Sequence, residues 1–342
     1  MAKPEKLSPY VLADLQARES FRNRDFQAAL DLAREAARES LEAGDQTGWW
    51  NMTYLQAECQ RDLESLWDCL ELSRQLAEHP LSAAKPALAA RTHIMLSTAH
   101  QGLGHLAEAA ANAARAAELV SGDEEQVDLQ IQAQRGLIAA LAESRRVDEA
   151  WRESLVLETL LTDLVDEDTA GKAYWVIGNV AFLSKRIEEG GRYHDMAAEQ
   201  LSHSKDVDLW AHFNRASAVM RLEANLTDPA TLRCIERAEL ATDIVGGSER
   251  DRLEMSFVRA YWYFLTGDME NALTLSKSVC ARSEFLPTQT EGEARFLLGK
   301  VLLANGDSIG AQEQLRTAQV LFESASATER SEEVRAFAAA LE

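Results

Sequence analysis

Three histidines, His93, His100 and His105, are the first residues whose type and spacing could do chemistry. Two stand seven apart on one helical face, and the third lies just beyond a turn. Converging imidazoles can hold zinc. No cysteine or carboxylate completes an obvious set, however, and the same face must pack against neighbouring helices. No metal is expected there. The stretch "DEDTAGK", residues 166–172, offers Asp166, Asp168 and Gly171 at the spacing of a calcium loop. Ala170 stands where an oxygen ligand belongs and Ile177 where the closing glutamate should be, so it reads as a solvated acidic loop. Gly171-Lys172 lacks the upstream glycine and following hydroxyl of a phosphate loop. No Gly-x-Ser-x-Gly elbow, HExxH pair or dinucleotide fingerprint occurs. The expectation is a protein with no catalytic residues and no cofactor.

A second set of residues suits binding. Arg91, Arg135, Lys172, Arg221 and Lys300 can hold a carboxylate. Asn179 and Asn214 carry amides that both donate to and accept from a peptide backbone. Trp175 and Phe182 can wall apolar pockets or serve as ordinary core. The question is which elements could bring nine residues, spread over more than two hundred positions, to one surface.

The answer is a repeat. "GKVLLANGDSIGAQEQLRTA" spaces Gly299, Ala311 and Ala318 by twelve and seven residues. "WYFLTGDMENALTLSKSV", "HQGLGHLAEAAANAARA" and "FRNRDFQAALDLAREA" repeat the pattern, and weaker copies fill the gaps. Equivalent positions fall at 29, 69, 109, 150, 190, 231, 272 and 311, always 39 to 41 residues apart. Such a period means a solenoid. Each repeat reads as helix A, a polar turn and helix B. Small residues are needed where helices approach to 8–10 Å. A small residue in helix A (Ser97, Gly178, Gly299) is expected to meet helix B twelve residues on. The repeats run over 8–46, 47–84, 85–122, 123–166, 167–205, 206–247, 248–286 and 287–326. A capping helix follows over 328–342, its apolar face made by Val334, Phe337, Ala338 and Leu341. Together they form a single domain, 1–342. Asp228 and Pro229 read as N-cap and first residue of a helix.

Composition agrees. Alanine, leucine and glutamate dominate, with six prolines and seventeen glycines in 342 residues, a helical mixture. The 56 acidic and 35 basic residues leave a formal charge of −21, which disfavours nucleic-acid backbones and anionic membranes. No secretory signal or spanning run is evident, and the four cysteines form no CxxC pair. A cytosolic protein with buried free thiols is expected.

The small residue in helix A, the Gly-Asp-type turn and the two alanine-type positions of helix B resemble the tetratricopeptide repeat over nearly the whole chain. The 40-residue unit exceeds the common 34, and is similar to that of Rap-type peptide sensors and the sensor halves of helix-turn-helix regulators. HEAT and armadillo repeats share the period but lack the small-residue pattern. The resemblance implies an all-α, right-handed superhelix with a concave groove lined by the A helices. Groove positions then lie six and three before the helix-A reference residue, and one and four after it. They include Arg91, Ile94, Thr98 and Gln101; Gln132, Arg135, Ala139 and Ala142; Lys172, Trp175, Asn179 and Phe182; Glu293, Phe296, Lys300 and Leu303; and, with a less certain register, Asn214 and Arg221. Asn179 follows Gly178, where related repeats often carry a peptide-contacting asparagine. The implied function is a regulatory scaffold that binds a peptide or protein segment, without direct nucleic-acid or membrane contact. The alternative is a structural or oligomerisation module, such as a homodimer.

Overall fold

The computed structural model describes residues 9–201, 206–325 and 327–340. Among them the fold is all α, without a strand. The helices are α1 (Pro9–Arg22), α2 (Phe26–Glu42), α3 (Gln46–Asp62), α4 (Leu66–Glu78), the short α5 (Pro80–Ala84), α6 (Pro86–Gly102), α7 (Leu106–Val120), α8 (Val127–Glu143), α9 (Val147–Leu160), α10 (Glu167–Leu183), α11 (Ile187–Gln200), α12 (Val207–Glu223), α13 (Pro229–Val245), α14 (Glu249–Thr266), α15 (Met269–Cys280), α16 (Thr288–Ala304), α17 (Ser308–Ser324) and α18 (Thr328–Ala339). They gather into two compact bodies, an N-terminal one over Met1–Gly190 and a C-terminal one over Gly191–Glu342. Leu341, expected on the apolar face of α18, lies outside the described residues.

The small-residue pattern corresponds to the buried seam of the B helices. Ala29 and Ala36, Cys69 and Leu76, Ala109 and Ala116, Ala150 and Leu157, Ala272 and Val279, and Ala311 and Ala318 are all at most 1% exposed. Each member of a pair lies seven residues, two helical turns, from the other, so both face the same side. The close approaches are where they were expected. Ser97 Oγ on α6 donates to the Ala109 carbonyl on α7 at 2.9 Å. A Cβ on Gly299 would sit 3.0 Å from the Leu315 side chain and 3.4 Å from the Ala311 carbonyl.

The turns between A and B helices share one device. Left-handed backbone occurs at Arg24, Glu64, Gly104, Arg145, Lys185, Asn225, Gly267 and Gly306. Those positions again step by about forty. Only three are glycines, so the sequence marks the conformation at fewer than half of the places that use it. Elsewhere an ordinary side chain accepts it, at a cost on the order of 1 kcal/mol. Helix starts follow ordinary capping chemistry. Asp25, Asp45, Asp268 and Asp307 each accept from a backbone N–H three residues on. Asp228 does the same for Thr231 at 2.8 Å with Pro229 behind it, as their types predict. Ser248 and Asp251 form a reciprocal capping box.

"DEDTAGK" is corrected by this logic. It is not a loop but the first turn of α10, with Asp166 as N-cap accepting from the Thr169 N–H at 3.1 Å. The four cysteines are free and buried. Burial pushes the Cys59 thiol up to about 12 and those of Cys69 and Cys280 to about 11. No helix among the described residues is long and apolar enough to cross a membrane.

Candidate ligand groove

In the N-terminal body, α3, α6, α8 and α10 present one face of each A helix to a shared cavity of about 350 Å³. Its lining includes Arg61 from α3, Ile94, Ser97 and Thr98 from α6, Gln132, Arg135, Gly136 and Ala139 from α8, and Val176 from α10. Ala113 of α7 closes the floor. Five of these residues (Ile94, Thr98, Gln132, Arg135 and Ala139) come from the register proposed for a groove. Arg61 and Val176 were missed. Arg61 belongs to a repeat whose register was not assigned, and Val176 lies one residue off the expected face of α10.

The basic residues differ in how far they are committed. The Arg91 guanidinium lies over the Tyr54 ring, 4.2 Å from its centroid, and 5.3 Å from that of Trp50. Those rings stack on each other at 5.3 Å, and the Trp50 indole N–H donates to Ser82 Oγ at 2.9 Å. Burial raises the Tyr54 hydroxyl to about 12, so it stays neutral. Arg91 is part of an aromatic wall. Lys172 is ion-paired with Asp168 one turn away. Arg61 donates to both carboxylate oxygens of Asp62, at 2.7 and 3.0 Å. Arg135 is different: its Nε is buried and has no hydrogen-bond partner. Burial pushes its pKa down, and Asp168 partly restores it. Thr98 Oγ1 donates to the Ile94 carbonyl, which leaves its lone pairs for accepting. Trp175 and Asn179 are half-buried on α10.

Four expected groove residues are corrected. Phe182 is buried, and its ring lies where a Cβ on Gly190 would come within 2.8 Å, so it packs helix A on helix B. Asn214 is fully buried and donates to the Trp210 carbonyl on its own helix at 2.7 Å. Arg221 is 1% exposed and donates to the Gly191 carbonyl at 2.9 Å and to Asp195 at 2.6 Å. Lys300 is roofed by α18. Its ammonium lies 3.8 Å from the Phe296 ring centroid and 5.7 Å from that of Phe337, and burial lowers its pKa. Glu293, another expected groove position, is taken by Arg330 of α18, Nε to Oε1 at 2.7 Å. The sequence placed these residues on the right helices, but the partners that cover them, α18 over Lys300 and Glu293 and the neighbouring helix over Arg221 and Phe182, are supplied by packing.

The histidines do not converge. His93 meets the Asn112 side-chain carbonyl at 2.9 Å, while His100 and His105 face each other at 3.3 Å between Nδ1 atoms. In the C-terminal body a nucleophile-like pair does occur: His194 Nδ1 lies 2.9 Å from Ser217 Oγ, with Cys234 Sγ 3.6 Å beyond. Ser217 and His194 are at most 1% exposed, which seals the hydroxyl from any substrate.

No family model matches the sequence, and no curated protein matches it. Solved structures do match. The apo form of the quorum sensor NprR from B. thuringiensis superposes with a TM-score of 0.61 at 13% identity, over 93% of this chain and 89% of that one. Aspartyl phosphate phosphatase F from Bacillus subtilis gives 0.59 at 11%, over 94% and 96%. The apo form of RapI gives 0.54 at 12%, over 92% and 98%. The chain has the tetratricopeptide-like solenoid fold. At these identities the likeness concerns the fold, and says nothing of individual side chains.

Proposed function

We propose that this protein is a cytosolic regulatory scaffold that binds a peptide or protein segment along the A helices of its N-terminal body, and that it acts by binding and not by catalysis. The observation that carries the reading is the cavity itself. Four A helices, remote in sequence, offer a cation, an amide, a hydroxyl and apolar walls to one space, and that is the composition of a small ligand site. The fold supports it, since one structural neighbour is a quorum sensor. A chain of −21 has no electrostatic reason to sit on nucleic acid. The Ser217–His194 pair, sealed as it is, offers no active site, although another neighbour is named as a phosphatase.

The test is selection of synthetic random heptapeptides on the immobilised full-length protein, with light scattering before and after binding. Enriched peptides are expected, with affinity weakened by roughly 1 kcal/mol in Asn179→Ala if the amide is desolvated by the ligand, and little change in Tm. If no peptide is enriched and scattering shows a stable dimer, the oligomerisation module becomes the better account. A loss of Tm that parallels the loss of binding would make Asn179 structural.

A further inference from the structure

We propose that the N-terminal body carries a side-chain slot over Gly136, and that one apolar side chain of Leu or Met size from a bound peptide fills it. This rests on the peptide-binding reading and adds which ligand side chain is selected, and by which residue.

The other repeats show what this one lacks. Two residues before the helix-A reference they carry Leu15, Leu55, Met95, Val176, Val258 and Leu297. Leu55, Met95, Val258 and Leu297 are at most 4% exposed, so a side chain at this position fills the space between helix A and the preceding helix B. Two repeats depart from the rule with a small residue, Ser217 and Gly136. At Ser217 the preceding B helix compensates: His194 reaches over, its Nδ1 2.9 Å from the Ser217 hydroxyl. The position equivalent to His194 beside Gly136 is Ala113. Neither side fills the space there, and the cavity of about 350 Å³ opens against both residues.

Packing does not demand this glycine. A Cβ on Gly102 would come within 2.6 Å of the Leu66 side chain, one on Gly190 within 2.8 Å of Phe182, and one on Gly299 within 3.0 Å of Leu315. On Gly136 it would meet the Ala113 side chain at 3.8 Å and Ser97 Oγ at 3.9 Å, which are ordinary contact distances. Gly136 lies inside α8 and is not among the left-handed positions, so backbone conformation does not require it either. A glycine inside a helix is destabilising relative to alanine. Nothing in the unliganded fold offsets that loss, whereas a ligand group seated where a side chain would stand does.

The walls select an apolar group. Ile94, Ala113, Ala133, Ala139 and Val176 surround the slot. The hydroxyl on its floor is already spent, since Ser97 Oγ donates to the Ala109 carbonyl. A polar side chain placed there would lose its water without gaining a donor. The size follows from the equivalent positions, where the same fold holds Leu55, Met95 and Leu297. The rim selects what the side chain is attached to. Gln132 supplies an exposed amide, and Thr98 Oγ1, which donates to the Ile94 carbonyl, can accept. An apolar floor beneath a rim of amide and hydroxyl suits a side chain carried on a peptide backbone, whereas a bare hydrocarbon would leave the rim unused.

The test takes random heptapeptides enriched on the full-length protein and follows Tm beside affinity. The slot itself can be checked without a ligand. Gly136→Ala should raise Tm, and Gly136→Leu should leave it unchanged or higher, because a leucine stands at the equivalent position of other repeats. A fall in Tm for Gly136→Ala means that packing needs the glycine, and overturns the slot. Enriched peptides should share one Leu or Met, and changing it to Ala should weaken binding roughly tenfold or more, the order expected for a buried side chain of that size. Gly136→Leu should weaken the parent peptide by a similar factor and leave the Ala-substituted peptide as it was, so that the difference between the two vanishes. A difference that persists in Gly136→Leu, or enriched peptides with no shared apolar residue, overturns the slot and leaves peptide binding standing. No enriched peptide at all overturns both readings. A dimer in light scattering that Gly136→Leu dissociates gives the slot to a second copy and overturns the peptide as its occupant. Should Gly136→Leu fold poorly, Gly136→Ala decides in its place: it should shift the preference of the same peptide from Leu towards Val, and an unchanged preference overturns the slot.

Discussion

Arg135 in the N-terminal body and Arg221 in the C-terminal body began as equivalent candidates, arginines on the A helices of a repeating chain. Their surroundings make them opposites. Arg221 is sealed, with a backbone carbonyl and Asp195 as acceptors. Arg135 borders a cavity instead, although each of the two keeps a buried Nε–H without an acceptor. The same contrast runs through the two bodies. In the C-terminal one the expected groove residues are consumed by the fold, Lys300, Glu293 and Phe296 by α18 and Asn214 by its own helix. In the N-terminal one a space remains. A periodic fold thus supplies many similar positions, and side-chain pairing decides which of them stay open for a ligand.

The contrast can be broken by substitution. Arg221→Ala should cost roughly 2–4 kcal/mol, because it leaves a cavity and an unpaired Gly191 carbonyl. Most of Asp195 is exposed, so its freed charge adds little. Chemical denaturation measures this, and a loss as small as that of Arg135→Gln would erase the distinction between the two arginines.

Ala311→Leu comes next, at about 1–3 kcal/mol, by overpacking the contact with Gly299 and Leu315. Because repeat stability is mostly nearest-neighbour, faster hydrogen exchange should concentrate in α16, α17 and α18. Exchange that rises evenly through the N-terminal body would show that the chain unfolds as one cooperative block.

The smallest effect is that of acid on the α6–α7 pair. Burial, then His105 and Arg74, hold the His100 pKa below the ordinary value, while Glu108 opposes them. Below about pH 6.5 the unfolded chain binds a proton that the folded one resists. The contribution of His100 is therefore full above that pH and falls as pH drops towards the folded value. His212 in the C-terminal body is shifted down too, by burial and Arg215, so the readout must be local. The protection of α6 and α7 amides relative to their intrinsic exchange rates should fall more between pH 7.5 and 5.5 in the unsubstituted protein than in His100→Gln. An equal fall in both would remove His100 from the account.

What the sequence determined by itself is the one-dimensional part of the fold. A forty-residue period, small residues twelve and seven apart and aspartates before helix starts are local signals, and each repeat packs against its chain neighbours. The fold class and the buried seam at Ala29, Ala109 or Ala311 were readable for that reason. What only the tertiary structure decided is the fate of polar side chains on the A helices. Arg61 and Val176 join the cavity, while Phe182, Asn214, Arg221 and Lys300 are buried, self-bonded, ion-paired or roofed. A polar side chain's role depends on which partner reaches it first. Partners such as Asp195 for Arg221, 26 residues away, or Arg330 for Glu293, 37 away, are chosen by helix rotation and spacing. A periodic pattern specifies which helices stack, but leaves those rotations to be settled by packing.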